Sequence, residues 1–74
     1  MEQSEKRLKT IGHAIAAERE RQGISQIQLA TMLGYTNHAY LSRVECGRQM
    51  PSMEMIFELA DILDVQVNYF FTDI

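Results

Sequence analysis

The run Gly23-Ile24-Ser25-Gln26-Ile27-Gln28-Leu29-Ala30, followed by Gly34 and then by Leu41-Ser42-Arg43-Val44-Glu45-Cys46-Gly47, holds two short helical patterns separated by a turn. Ser25 with Gln28 three residues later reads as a capping box: the Ser25 hydroxyl accepts the Gln28 amide N–H, and the Gln28 side chain returns to the Ser25 backbone. Leu29, Ala30 and Leu33 form the inward face of this helix, and Gly34 supplies its stop after about two turns. Asn37 is the expected cap of the next helix, over 38–46, with Leu41 and Val44 turned inward. At about 100° per residue, Ala39, Ser42, Arg43 and Cys46 then share the opposite side. Two short helices joined by a tight Gly34-Tyr35-Thr36 turn can place the first across a DNA backbone and the second in the major groove. The same arrangement is also common scaffolding, so the residue details have to decide.

Upstream, Leu8, Ile11, Gly12 and Ile15 follow the spacing of an amphipathic helix, expected over 6–22, and Gly23 closes it. Downstream, Gly47 ends the helix over 38–46, residues 48–51 form a loop, and Ser52 caps a fourth helix with Glu54 in its first turn. Met53, Ile56, Phe57, Ala60 and Leu63 recur there at helical spacing, and Met55, Leu59 and Ile62 make a second stripe offset from the first. Asp64 and Val65 mark a turn, and a short fifth helix is expected over 67–71. The expectation is an all-α, compact five-helix bundle forming a single domain over 1–74, with residues 1–7 a loosely ordered extension.

Composition narrows the class. A chain of 74 residues that is 46% apolar, with one proline and four glycines, suits a small helical bundle with a thin core. Cys46 is the lone cysteine and there are two histidines, so neither an internal disulfide nor a metal cluster is expected. The N-terminus is charged and no apolar run approaches a membrane span, which gives a cytoplasmic expectation. The net charge of −3 counts against nucleic acid, yet all seven basic residues lie between Lys6 and Arg48. Glu54, Glu58, Asp61, Asp64 and Asp73 leave the C-terminal third purely acidic, so the total conceals a polarised chain.

The quoted runs, together with Pro51-Ser52 and Leu59-Ala60, resemble the Cro/repressor-type helix-turn-helix family, also called the Xre family, over about residues 8–71. The resemblance implies a lambda-repressor-like five-helix domain that binds operator DNA, usually as a dimer on a two-fold-related site. The chain departs from the family pattern at three points. One residue is added between Gly34 and Gly47, in the turn or in the first turn of the next helix, which affects the register of His38 and Ala39. Glu18 stands where the family has an apolar residue, so a wetter end to the first helix is expected. The acidic total is the third departure.

Arg19, four residues after Ile15 on the inward stripe, requires an anionic partner, and Glu45, four residues after Leu41, is the expected one. Gln26 opens its helix where an amide suits a phosphate oxygen, the alternative being an ordinary solvated Gln. The expected DNA-contacting residues of the third helix are Asn37, His38, Ala39, Tyr40, Ser42 and Arg43. Arg43 suits the O6 and N7 of guanine, Ala39 a thymine methyl, and Tyr40 either a phosphate or packing. Arg48, with Gln49 beside it, can hold phosphate, as can Lys6, Arg7 and Lys9 on a neighbouring stretch, a solvated charge being the alternative. Cys46 reads as an inert thiol. Met55, Ile62, Tyr69 and Phe71 are the expected dimer interface, because the C-terminal third carries more apolar surface than one small core needs. No converging acid, base, nucleophile or metal ligands are visible, so an enzyme is not expected, nor is a cofactor. The expected function is a sequence-specific transcriptional regulator, a repressor binding double-stranded DNA as a homodimer. The alternative is an antitoxin-like module that uses the same fold to hold a partner protein.

Overall fold

The computed structural model describes residues 2–72, in the order α1 (Glu2–Arg21), α2 (Gln26–Met32), α3 (Ala39–Glu45), α4 (Met53–Leu63) and a 3-10 helix (Val67–Phe71). Residues 2–7, expected as a loose extension, are the first turns of α1. Glu, Gln, Lys and Arg are good helix formers, and neither glycine nor proline interrupts them before Gly12. Leu8 helps to hold this segment down: it is half-buried and shares one depression with Ile11, Met50 and Phe71.

The core is drawn from every element. Ile11 and Ile15 of α1, Leu29, Ala30 and Leu33 around α2, and Leu41 and Val44 of α3 meet Met55, Ile56, Leu59, Ala60 and Leu63 of α4, with Phe70 completing the cluster. Ser25 forms the full capping box with Gln28, and the Ser52 hydroxyl accepts the Met55 amide N–H at 3.1 Å. The last element is a 3-10 helix, in which the Tyr69 N–H donates to the Gln66 carbonyl three residues back at 2.9 Å.

Helix α4 corrects one expectation. Met55, assigned to a dimer interface, is 1% exposed and belongs to the core, whereas Met53 and Phe57, which recur at helical spacing with Ile56, Ala60 and Leu63, are 58% and 53% exposed. Apolar residues occupy so many positions of this helix that two overlapping stripes are available. Packing selects the stripe through Met55, Ile56, Leu59, Ala60 and Leu63, leaving Met53 and Phe57 together beyond its edge.

Helices α1 and α3 cross at Gly12. A methyl group there would lie 2.3 Å from the Val44 carbonyl oxygen and 2.8 Å from that of Glu45, so only glycine permits this approach. Gly12→Ala is therefore expected to cost about 1–3 kcal/mol by overpacking. Urea denaturation measures it, and an unchanged midpoint would mean that α1 moves off α3 without penalty.

Candidate nucleic-acid interface

Helix α2 ends at Met32 and α3 starts only at Ala39, so their connection is longer than the three-residue turn expected. Gly34 adopts a φ of 89°, and the Tyr35 N–H reaches back to the Ala30 carbonyl at 3.0 Å. Asn37 does not occupy the cap position itself. His38 does, without a side-chain bond, while the Asn37 Oδ1 accepts the Ala39 N–H at 2.9 Å. Asn37, His38, Ala39 and Arg43 are exposed and Ser42 is half-exposed, so these expected contact residues lie on the solvent side of α3, at Ala39, Ser42 and Arg43, and in the two residues that lead into it, Asn37 and His38.

What holds α3 at its angle is the Arg19–Glu45 pair. The Arg19 Nε donates to Glu45 Oε2 at 2.8 Å and an η nitrogen donates to Oε1 at 3.1 Å, while the other η nitrogen donates to the Ile24 carbonyl at 2.8 Å. The Gln26 amide joins the same carboxylate, donating to Oε1 at 2.8 Å. Gln26 is thus turned partly inward and keeps one amide N–H for another acceptor. Both charged side chains are nearly closed off, at 11% and 6% exposed, and the fork-to-fork geometry fixes orientation as well as distance.

Arg43 is positioned by its neighbours. Its Nε donates to the Gln49 Oε1 at 2.7 Å, and its guanidinium carbon lies 5.8 Å from the centre of the Tyr40 ring. Both η nitrogens remain on an exposed guanidinium with its direction set, the arrangement that bidentate recognition of guanine needs. Tyr40 packs edge-on against Tyr35, with ring centres 5.5 Å apart, and its hydroxyl accepts the Ser52 N–H at 3.1 Å. It anchors the loop carrying exposed Arg48 and keeps its own hydroxyl proton to donate. The parts played by Gln49 and Gly12 were not legible in the sequence, since neither residue type announces a support or a close crossing.

Glu18 corrects the expectation of a wetter helix end. It is 3% exposed and enclosed by polar partners: Arg21 pairs with it, the Gln22 amide donates to its Oε2 at 2.7 Å, and the Tyr69 hydroxyl adds a hydrogen bond. The Gln22 amide also donates to the Leu63 carbonyl at 2.6 Å, tying α1 to the end of α4. The Arg21 and Gln22 hydrogen bonds, outweighing the opposing effect of burial, hold the Glu18 carboxyl down at about 2. The spacing of Arg21 and Gln22, three and four residues on, was the available signal.

Of the seven cations, Arg19 and Arg21 are thus engaged by carboxylates, and Lys6, Arg7, Lys9, Arg43 and Arg48 are exposed. Among the described residues no group of His, Cys, Asp and Glu is arranged to hold a metal ion, and no helix is long and apolar enough to cross a membrane.

The helix-turn-helix family model matches residues 15–70. The chain belongs to the helix-turn-helix family. Among solved structures it is similar to the restriction-modification controller protein C.AhdI from Aeromonas hydrophila, at 30% identity and a TM-score of 0.78, over 85% of this chain and 94% of that one. No curated protein matches the chain by sequence. The Cro/repressor-type resemblance drawn from the motifs agrees with this membership, and this helix-turn-helix protein is a DNA-binding regulator rather than an enzyme.

Two predictions follow from its ion pairs. Arg19→Ala strands the Glu45 carboxylate and is expected to cost about 3–5 kcal/mol, less whatever residual solvent access relieves. Its melting temperature should fall before its DNA contacts change, and a variant of wild-type stability that fails to bind DNA would reverse the assignment. Glu18, depressed from its usual 4.5, contributes stability that is present above that value and is lost as pH falls from about 4.5 towards 2. Glu18→Gln should therefore flatten this part of the acid unfolding curve, and an unaltered acid transition would count against the network.

Proposed function

We propose that the chain is a sequence-specific transcriptional repressor that acts as a homodimer on a two-fold-related operator. The observation that carries the reading is Arg43, exposed on α3 and aimed by Gln49 and Tyr40. Arg43 reads a guanine, with Ala39 and Ser42 beside it on α3 and Asn37 and His38 at the start of that helix. Gln26, through its remaining N–H, Tyr40, through its hydroxyl, and Arg48 contact the backbone. The likeness to a restriction-modification controller supports gene regulation as the setting.

Dimerisation is proposed through the C-terminal third, where Met53 and Phe57 join Tyr69 among the exposed large apolar side chains. Ile62 and Phe71 remain candidates, but both are partly buried against the core. A two-fold dimer would set two copies of α3 about 34–36 Å apart along one face of DNA.

One observation favours a second reading, a surface for a partner protein. Ile27 and Met32 on α2 are 62% and 55% exposed and, with Ile24 and Thr31, line a shallow apolar depression away from the C-terminal third. A salt titration on random DNA separates the two, because a DNA binder loses affinity steeply as salt rises.

Arg43→Ala is expected to cost about 1–3 kcal/mol on the preferred site and to relax one base pair per half-site. Arg48→Ala should weaken specific and random DNA alike. Equal losses on both DNAs for Arg43→Ala would make it a phosphate contact instead. For the dimer, Phe57→Glu is the informative change because the side chain lies outside the core. Sedimentation equilibrium should give a dimeric wild type and a monomeric variant, whereas a wild type that is monomeric with and without operator DNA would sink the proposal.

A further inference from the structure

The family match begins at residue 15, yet α1 starts at Glu2, so more than half of this helix precedes the matched segment. That part carries Lys6, Arg7 and Lys9, all exposed. Its position is fixed by a close contact with the end of α3. Gly47, at φ 75°, lies so near to α1 that a methyl group on it would come within 2.6 Å of the Lys9 Cγ and 2.9 Å of its Cα. Gly47 follows the cap of α3 and directly precedes Arg48, whose N–H donates to the Arg43 carbonyl at 2.9 Å. The contact therefore sets Lys9 beside the loop that leaves the reading helix.

Lys6 and Lys9, three residues apart, share a helix face with exposed His13. Arg7 lies round the helix, lining the depression with Leu8, Ile11, Met50 and Phe71. Among the described residues the ion pairs of α1 involve only Arg19 and Arg21. Glu5 is exposed on the same helix without forming an ion pair to either lysine. Two ammonium groups that form no ion pair among the described residues thus extend the positive edge begun by Arg48.

We propose that Lys6 and Lys9 bind DNA backbone phosphates next to the one taken by Arg48, making the N-terminal half of α1 a second ledge against the duplex. The proposal rests on the DNA-binding reading and adds a site to it. The ligand is recognised by charge alone, so the ledge contributes affinity and salt dependence without base preference.

The test measures affinity for a random-sequence duplex of about 30 base pairs as a function of salt, with thermal melting of each variant alongside. Each phosphate contact contributes about 0.9 to the slope of log K against log salt. The slope for Lys6→Gln/Lys9→Gln should accordingly be shallower by about two, and Lys6→Arg/Lys9→Arg should keep the wild-type slope. Gln66→Glu makes the same change in net charge as Lys6→Gln at an exposed position ahead of the 3-10 helix and should leave the slope nearly unaltered. If the double Gln variant melts early because Lys9 packs on Gly47, Lys6→Gln alone should still lower the slope by about one. A wild-type slope in the Lys6 and Lys9 Gln variants overturns the proposal, as does a drop in Gln66→Glu equal to that of Lys6→Gln, which would reduce the effect to net charge. A wild type that binds no DNA at low salt overturns the DNA-binding reading itself, an outcome distinct from either.

Discussion

The Arg19 guanidinium is where three parts of the chain are tied together. It leaves α1 and grips Glu45 on α3 with two nitrogens, and its third nitrogen holds the Ile24 carbonyl just ahead of α2. Gln26, at the first turn of α2, closes the group from the other side. Helices of seven residues have little stability of their own, so their orientation comes from what they pack on and bond to. With the guanidinium fork nearly closed off from water, both charges need each other, and α3 is held by direction as well as by burial.

Gly12 belongs to the same constraint. The ion pair draws the end of α3 towards α1, and the missing side chain lets the two backbones come close enough for Ile15, Leu41 and Val44 to meet. Once α3 is set, its outer face follows. Arg43 leans on Tyr40 and Gln49, and Tyr40 is itself fixed by Tyr35 and the Ser52 backbone. The reading surface is therefore supported from the loop behind it.

An acidic protein can present a basic surface because its charges are sorted by position. The buried side chains of Glu18 and Glu45 are paired with Arg21 and Arg19, Glu5 and Glu20 are exposed on α1, and Glu54, Glu58, Asp61 and Asp64 stand exposed on α4 and its cap. The remaining exposed cations lie on α1, α3 and the loop after α3. Burial first, and then Tyr40, Glu58 and Glu54, raise the Tyr35 hydroxyl above its usual range.

The chain's local signals were sufficient for the elements themselves. Ser25 with Gln28, Ser52 before Met55, and the glycines at 23, 34 and 47 act over a few residues, so the caps and stops are legible in order. Arg19 and Glu45 were legible as partners because each falls on an apolar stripe where a lone charge is untenable. The rotation of α4 was decided only by tertiary packing, since apolar residues at 53, 55, 56, 57, 59, 60, 62 and 63 support more than one inward stripe. The same holds for the burial of Glu18, whose partners include Tyr69 from far along the chain, and for the start of α1, which depends on what Leu8 packs against. Periodicity reports that a helix has an apolar side; which side faces the core depends on the shapes that meet there.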